Sequence, residues 1–336
     1  MQKIRWGIIS TGWIADRFSQ GMDLVPDAEK TVVVSRDMGK AIAFAKEHNV
    51  SLAYDDYDKM LEEVKPDVVY VATPNNAHYE YVIKALDAGV NVLCEKPMPD
   101  NLRQLEAMVA KAREKDLFLM EGMWTRCFPG MRKVRQWLEE GRIGQVRTMH
   151  FELGLKESPD NPAWQAWKAS RQFSAGALRD VGIYTLAMAH LVMPKRPVSI
   201  ASTAVLRDGT DVYNSIFMQY EDHVTACLTS AFDTVTDHRG LITGTHGQIV
   251  ILPRFNRPEK VTLLRPHDTD IMGVEKVEEF ACEIPSTGFQ YEVEHVNECL
   301  RAGKKQSDLY SLEETYEICR IIDGLREEWG VVYDSD

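Results

Sequence analysis

A lysine at a strand end, and an aspartate and a tyrosine one helical turn apart, are the side chains of this chain best suited to moving a proton. Val90–Pro97 reads Val-Asn-Val-Leu-Cys-Glu-Lys-Pro, a short buried strand that runs without a linker into Glu95, Lys96 and Pro97. In an open α/β sheet, ligands bind beyond the carboxyl ends of the strands, so Lys96 is aimed at whatever the sheet binds. Pro97 fixes its own φ and restricts Lys96 to extended backbone. Asp180 and Tyr184 are four apart, hence on one helical face. A tyrosine, with a pKa of about 10, is a poor base at neutral pH, but a nearby ammonium favours its ionised form. A lysine and a tyrosine converging on one hydroxyl are therefore equipped to oxidise a secondary alcohol, given a hydride acceptor beside the carbon. Read apart, the same residues describe a solvated Lys-Pro turn and a buried Asp–Tyr hydrogen bond.

Length and composition bound what surrounds these residues. The 336 residues give room for two domains. Hydrophobic content of 44% and charged content of 27% are those of an ordinary globular protein. A formal net charge of −12 argues against nucleic acid or an anionic membrane as the main partner, while a local basic pocket still suits a small anion. The first residues, Met1 to Trp6, lack an apolar signal core and enter a strand directly, and no apolar run is long enough to span a bilayer. Cys94, Cys127, Cys227, Cys282, Cys299 and Cys319 form no Cys-x-x-Cys pair and no Cys/His cluster. That pattern points to reduced thiols in a cytoplasm and no metal site.

The elements that position Lys96 alternate strand and helix. Lys3–Ile9 reads as a strand and is followed by Ser10-Thr11-Gly12-Trp13-Ile14-Ala15 and a helix to Leu24. The turn resembles the dinucleotide fingerprint G-x-G-x-x-G/A, with Ser10, Gly12 and Ala15 at its three small positions. Gly12 lets the backbone approach a pyrophosphate at the helix N-terminus, beside Trp13 and Ile14. Ser10 strains the tight turn but offers a hydroxyl to phosphate. Thr31–Ser35 is a second strand, ending where a ribose-reading residue is due. Ser35 and Arg36 there suit a 2′-phosphate better than an acid does, with Asp37 capping the next helix. These residues predict NADP, with NAD the lesser alternative. Asp67–Val71 is a third strand and runs into Thr73-Pro74-Asn75 and His78. His78 is either a ribose or phosphate ligand or a surface histidine. Helices Asn76–Ala88 and Leu102–Lys115 and the strand Leu117–Met120 complete the pattern of a doubly wound parallel sheet. The glycine turn, Thr73–Asn75 and Glu95–Pro97 then share one rim.

Gly-Ile-Ile-Ser-Thr-Gly, Ala-Thr-Pro-Asn-x-x-His and Cys-Glu-Lys-Pro-Met, in this order and spacing, resemble the glucose–fructose oxidoreductase / inositol dehydrogenase / MocA family. The resemblance implies a nicotinamide-dependent oxidoreductase: an N-terminal Rossmann domain, residues 1–123, followed by an α+β domain, residues 124–336, that binds substrate and dimerises. It implies that Lys96 is the catalytic or substrate-orienting residue and that the Lys96–Pro97 bond is cis. Glu121-x-x-Trp124-Thr125-Arg126-x-x-Pro129 and the tyrosine at 184, where the family usually has histidine, are similar to the dimeric dihydrodiol dehydrogenase and NADP-dependent D-xylose dehydrogenase branch. On that resemblance Trp124 and Arg126 lie near nicotinamide and substrate. The alternative is a packed hinge tryptophan and an arginine paired to an acid. Tyr184 is then the proton acceptor, Lys96 its electrostatic partner, and Asp180 orients one of them or a substrate hydroxyl. The reversed roles for Lys96 and Tyr184 remain open.

The second half supplies the substrate's surroundings. Val146–Phe151 reads as a strand that brings Phe151 towards substrate. Pro159–Trp167 holds Trp164 and Trp167, costly to leave exposed, and reads as a lid or pocket wall. Small residues Ser174–Ala177 suit a turn under a cofactor, leading into a helix to Met193. Beyond Pro197 the spacing predicts one largely antiparallel sheet of strands between Val198 and Leu264, then helices Phe289–Ala302 and Leu312–Trp329, the latter opened by the capping box Ser311–Glu314. Strands apolar on both alternations, such as Ile216-Phe217-Met218, predict a homodimer or dimer of dimers through that sheet. The expected substrate is a small sugar or diol; the alternatives are another polyol or an amino-sugar derivative, or a sensor that binds dinucleotide without turnover.

Overall fold

The computed structural model describes residues 2–156 and 170–336. The chain divides into two compact units, Met1–Cys127 with Ile284–Tyr316, and Phe128–Glu283 with Glu317–Asp336.

The first unit holds β1 (Ile4–Ile9), α1 (Trp13–Met22), β2 (Ala28–Val34), α2 (Met38–His48), β3 (Leu52–Tyr54), α3 (Tyr57–Glu63), β4 (Val68–Val71), α4 (His78–Asp87), β5 (Asn91–Glu95), α5 (Leu102–Glu114) and β6 (Leu119–Gly122). The six strands are parallel in the order β3-β2-β1-β4-β5-β6, the doubly wound arrangement expected. Their near-continuous apolar runs follow from burial on both faces: every residue of β4 is buried. Local signals set the helix ends. Asp37 accepts the Lys40 N–H at 3.1 Å to cap α2, and Gly89, with φ of 80°, follows α4. The short edge pair β3 and α3 has no counterpart in the sequence reading, because three residues with only partial burial leave no periodic pattern.

Residues 284–316 pack in this first unit rather than with the rest of the region after 124. Helix α8, numbered in chain order after those of the second unit (Gln290–Arg301), lies against α1 because Gly21 has no side chain. A Cβ there would stand 2.8 Å from that of Phe289. Phe289, Val293 and Val296 join Trp6, Phe18 and Tyr70 in one core, and Trp6 Nε1 donates to Asn297 Oδ1 at 3.1 Å. The capping box also forms: Glu314 N donates to Ser311 Oγ at 3.2 Å and Ser311 N to Glu314 Oε2 at 3.1 Å.

The second unit contains α6 (Pro129–Glu139), β7 (Val146–Gly154), α7 (Ile183–Val192), β8 (Ser199–Arg207), β9 (Thr210–Gln219), β10 (Thr225–Ala231), β11 (Gly240–Gly244), β12 (Gln248–Ile251), β13 (Lys260–Pro266) and β14 (Val274–Ala281). They form an eight-stranded sheet, β14-β13-β12-β11-β7-β10-β9-β8, antiparallel except between β7 and β10. Strand β14, Val-Glu-Lys-Val-Glu-Glu-Phe-Ala, escapes a sequence reading because adjacent charges, Glu275-Lys276 and Glu278-Glu279, break the apolar alternation on a mostly exposed edge. Helices α6 and α7 cover one face, where Met149, Phe151, Ala226, Leu228 and Ile242 are buried. Among the described residues no helix is long and apolar enough to cross a membrane.

Candidate active site

Strand register builds the rim in the first unit. Ile9 pairs with Val34 on one side and Val71 on the other, and Val71 pairs with Cys94. Glu95 pairs with Gly122. The residues that follow these strand ends, namely Ser10–Gly12, Ser35–Arg36, Thr73–Asn75, Lys96 and Trp124, therefore emerge along one edge. The Thr11 hydroxyl and Ser35 Oγ, 3.5 Å apart, link the first two turns. The strand order reverses between β1 and β4, the switch point where such folds bind ligands.

The glycine turn fits a dinucleotide's phosphates. Helices α2 and α3 are capped by the side chains of Asp37 and Asp56, whereas α1 has no side-chain cap. Its first amides thus point outward, with the helix dipole behind them. Gly12 and Trp13 are exposed, Trp13 at 75%, and Ile14 is half-buried. Ser10 adopts φ of 124°, a region that strains any residue with a side chain, and its Oγ accepts the Gly12 N–H at 3.0 Å. Ser10→Gly is expected to raise stability by about 1 kcal/mol, read as a higher urea midpoint at unchanged slope. A lower midpoint would mean that the Ser10–Gly12 bond outweighs the strain.

Lys96 is half-buried, and the Lys96–Pro97 bond is cis. Two buried acids hold the backbone around it. Glu95 Oε2 accepts the Lys96 N–H at 3.2 Å, and Glu121 Oε1 accepts the Met98 N–H at 2.8 Å. Glu95 Oε1 accepts the Tyr70 hydroxyl at 2.5 Å. Burial, then the charge of Glu95, pushes the Tyr70 phenol well up, so it stays a donor. Tyr70 is absent from the sequence reading, although a tyrosine inside an aliphatic buried strand must find a partner for its hydroxyl.

Several expected ligands do other work. His78 is 1% exposed, with Nδ1 3.0 Å from Pro97 O and Nε2 2.9 Å from Thr73 O. Its ring braces the loops after β4 and β5 instead of facing ribose or phosphate. Arg126 is buried and donates to Glu314 Oε1 at 2.8 Å, with its guanidinium over the Tyr310 ring. That is the arginine paired to an acid, not one open to nicotinamide. Trp124 stacks on Phe289 at 4.8 Å. Phe151 is 1% exposed and packs on Phe255, so it is a core residue and not a substrate contact. Trp164 and Trp167 lie outside the described residues.

In the second unit, Asp180 sits half-buried in a π-turn, Leu178–Gly182, that feeds directly into α7. Tyr184 occupies the first turn of α7 and is 8% exposed. Helix α7 is buried almost all round, which fixes it against the sheet.

An uncapped helix start at the switch point of such a sheet defines a dinucleotide-binding class of protein. Comparison with known proteins narrows the class. The family described as "Oxidoreductase family, NAD-binding Rossmann fold" matches residues 4–123, and the GFO/IDH/MocA C-terminal domain matches residues 131–250. The chain belongs to the GFO/IDH/MocA family of oxidoreductases. It is 32% identical over 342 residues to the trans-1,2-dihydrobenzene-1,2-diol dehydrogenase of Xenopus laevis, covering 98% of this chain and 99% of that one. The Homo sapiens enzyme of the same name is 31% identical over 339 residues, 99% of each chain. In fold the chain is similar to a levoglucosan dehydrogenase in complex with NADH and levoglucosan, with a TM-score of 0.85 at 17% identity over 98% of both chains. It is likewise similar to a 3-ketoreductase from Actinomadura kijaniata in complex with NADP and TDP-benzene, with a TM-score of 0.82 at 24% identity over 97% of this chain and 98% of that one.

Proposed function

We propose that this oxidoreductase uses NADP to oxidise a secondary alcohol or hemiacetal carbon of a sugar or trans-diol. The observation that carries the reading is the gathering of the glycine turn, Arg36 and Lys96 along one strand-end rim. The diol named in the relatives at 31–32% identity supports the substrate class. When bound, the oxidised nicotinamide supplies the hydride acceptor. The α1 amides and Gly12 bind the pyrophosphate. Tyr184 takes the hydroxyl proton at Oη as the carbon gives up its hydride, the Lys96 ammonium stabilises the phenolate, and Asp180 orients the lysine or a substrate hydroxyl. A non-catalytic dinucleotide sensor has no need of all three. Cofactor reduction, followed at the nicotinamide absorbance across a panel of aldoses and trans-diols, tests the reading. No turnover across the panel would favour the sensor.

Preference for NADP over NAD rests on Arg36, which is exposed at the end of β2 while Asp37 is committed to its helix cap. Arg36→Ala is expected to weaken NADP binding by about 10- to 100-fold, the worth of a charge-assisted phosphate contact, with little change for NAD. Equal losses for both cofactors would refute the assignment.

Assembly as a homodimer, or dimer of dimers, is proposed through the sheet face opposite α6 and α7. Phe217 is 43% exposed there, and a depression of about 510 Å³ is lined by His150, Cys227, Leu241 and Val250. Light scattering at micromolar concentration should give twice the chain mass or more. A monomeric mass counts decisively against this. The six cysteines form no disulfide, which supports a reducing compartment such as the cytoplasm.

A further inference from the structure

Strands β9 and β10 place a buried polar group beneath the turn that carries Asp180. Asp211 Oδ2 accepts the Leu178 N–H at 2.7 Å and an Asn214 Nδ2–H at 2.8 Å, and Asn214 Oδ1 accepts the Ser230 hydroxyl at 2.9 Å. Asp211 is 2% exposed, Asn214 1% and Ser230 0%. The small residues above them make the approach possible. Gly176, at φ of 137°, has no Cβ to collide with Asp211 Oδ1, and a Cβ at Gly182 would stand 2.7 Å from Ser230 Oγ. Leu178 opens the π-turn Leu178–Gly182, and single π-turns recur at functional sites. Fixing the Leu178 amide fixes where that turn begins, and so where Asp180 and Tyr184 stand.

On the reading that Asp180 and Tyr184 serve catalysis, we propose that Asp211 is a positioning residue whose carboxylate holds the Asp180–Tyr184 helix in its working register. Its own ionisation then matters. Burial pushes the Asp211 carboxyl up to about 6, while the bonds from Leu178 and Asn214 and the charge of Arg179 act the other way. Arg179, on the turn, is 1% exposed, donates to Ser174 O at 2.8 Å and faces the Tyr333 ring, beyond which lie Arg326 and Asp336. Asp180 shares the turn, and β10 presents the Ser230 hydroxyl.

A carboxylate accepts an amide hydrogen bond more strongly than a neutral carboxyl does. The anchor therefore tightens as pH rises through about 6. Stability moves in the opposite sense. The folded carboxyl ionises at about 6 against an ordinary 3.8. The folded state thus binds this proton more tightly, and rising pH across that interval weakens folding. Activity and stability are expected to diverge at this residue, which a purely structural role does not produce.

The test measures turnover of the full chain with NADP and the fastest aldose or trans-diol of the panel, between roughly pH 5 and pH 8, a range that spans the unit either side of the expected midpoint. Native kcat should rise about tenfold across a midpoint near 6, as for a reacting group moved into place. Asp211→Asn should be flat at the low level, with NADP affinity unchanged and a urea midpoint at neutral pH at or above native. Asn214→Ala removes a bond that lowers the Asp211 pKa, so it should move the native limb to higher pH. A limb that persists in Asp211→Asn overturns the inference. So does an unmoved limb in Asn214→Ala, or a urea midpoint that falls in step with turnover. Tyr184→Phe, assayed alongside, separates the two ideas: if it keeps native turnover, the catalytic reading fails and this inference with it.

Discussion

Lys96→Ala and Tyr184→Phe should each lower turnover by about 10²- to 10⁴-fold, the usual worth of a positioned acid–base group, while leaving NADP affinity nearly intact. The expectation follows from the division of labour in the proposed mechanism. In that mechanism the phosphate end of a dinucleotide meets the α1 amides and Gly12, which neither substitution touches. Lys96 sits instead at the far side of the rim, its backbone held by Glu95 and, through Met98, by Glu121. On the proposed pairing, removing the ammonium leaves Tyr184 with an ordinary phenol, mostly protonated at neutral pH. Removing the phenol leaves the ammonium with nothing to stabilise. Because each residue needs the other, the double variant should be scarcely worse than either single one. Steady-state kinetics with an independent cofactor titration decides the matter. Near-native turnover in Tyr184→Phe would make Tyr184 structural and Lys96 the base. Additive losses would mean that the two do not act as one unit.

Glu314→Ala should destabilise the first unit by about 3 kcal/mol, the cost of taking an acid away from a buried guanidinium. Arg126 has a side-chain exposure of 3% and Glu314 of 19%, so the guanidinium is the group that water cannot rescue. Glu314 also closes the capping box on Ser311, which adds to the loss. Arg126→Met should cost less, because the partly exposed Glu314 can turn to solvent. Combining Arg126→Met with Glu314→Ala should then recover much of the loss, since the guanidinium that lost its acid is gone as well. Urea denaturation of the three variants tests this. Equal destabilisation by both single substitutions, with the double variant showing their sum, would mean that the ion pair is not the source of the loss.

What a sequence can disclose depends on how far apart the interacting parts lie. The Asp37 cap, the glycine after α4 and the Ser311–Glu314 box each span a few residues, and all are legible as written. So is the rim, because alternating strands and helices fix which ends fall together. His78 misleads because its partners, Thr73 O and Pro97 O, are backbone atoms that any residue supplies. Arg126 misleads for a different reason: its acid is 188 residues away, and only packing brings it near. The Tyr70–Glu95 bond and the Asp211–Leu178 bond are of the same kind. Phe151 obeys its strand's alternation, but alternation does not say which face of a sheet is the core.

The first unit is not continuous along the chain, and this governs the order in which the protein can be assembled. When β6 has just left the ribosome, the segment from 284 to 316 does not yet exist. Trp6 and Phe18 then lack the partners Phe289, Val293 and Val296 that complete their core. A nascent chain must keep that apolar surface waiting while the whole stretch from Phe128 to Glu283 is synthesised as an enclosed loop. Closing so long a loop costs little more at equilibrium than closing a short one, but such distant contacts form slowly. Strict domain-after-domain folding is closed to this chain. For its first half, the hazardous interval is one of translation time, when an unfinished sheet is open to any other hydrophobic surface in reach.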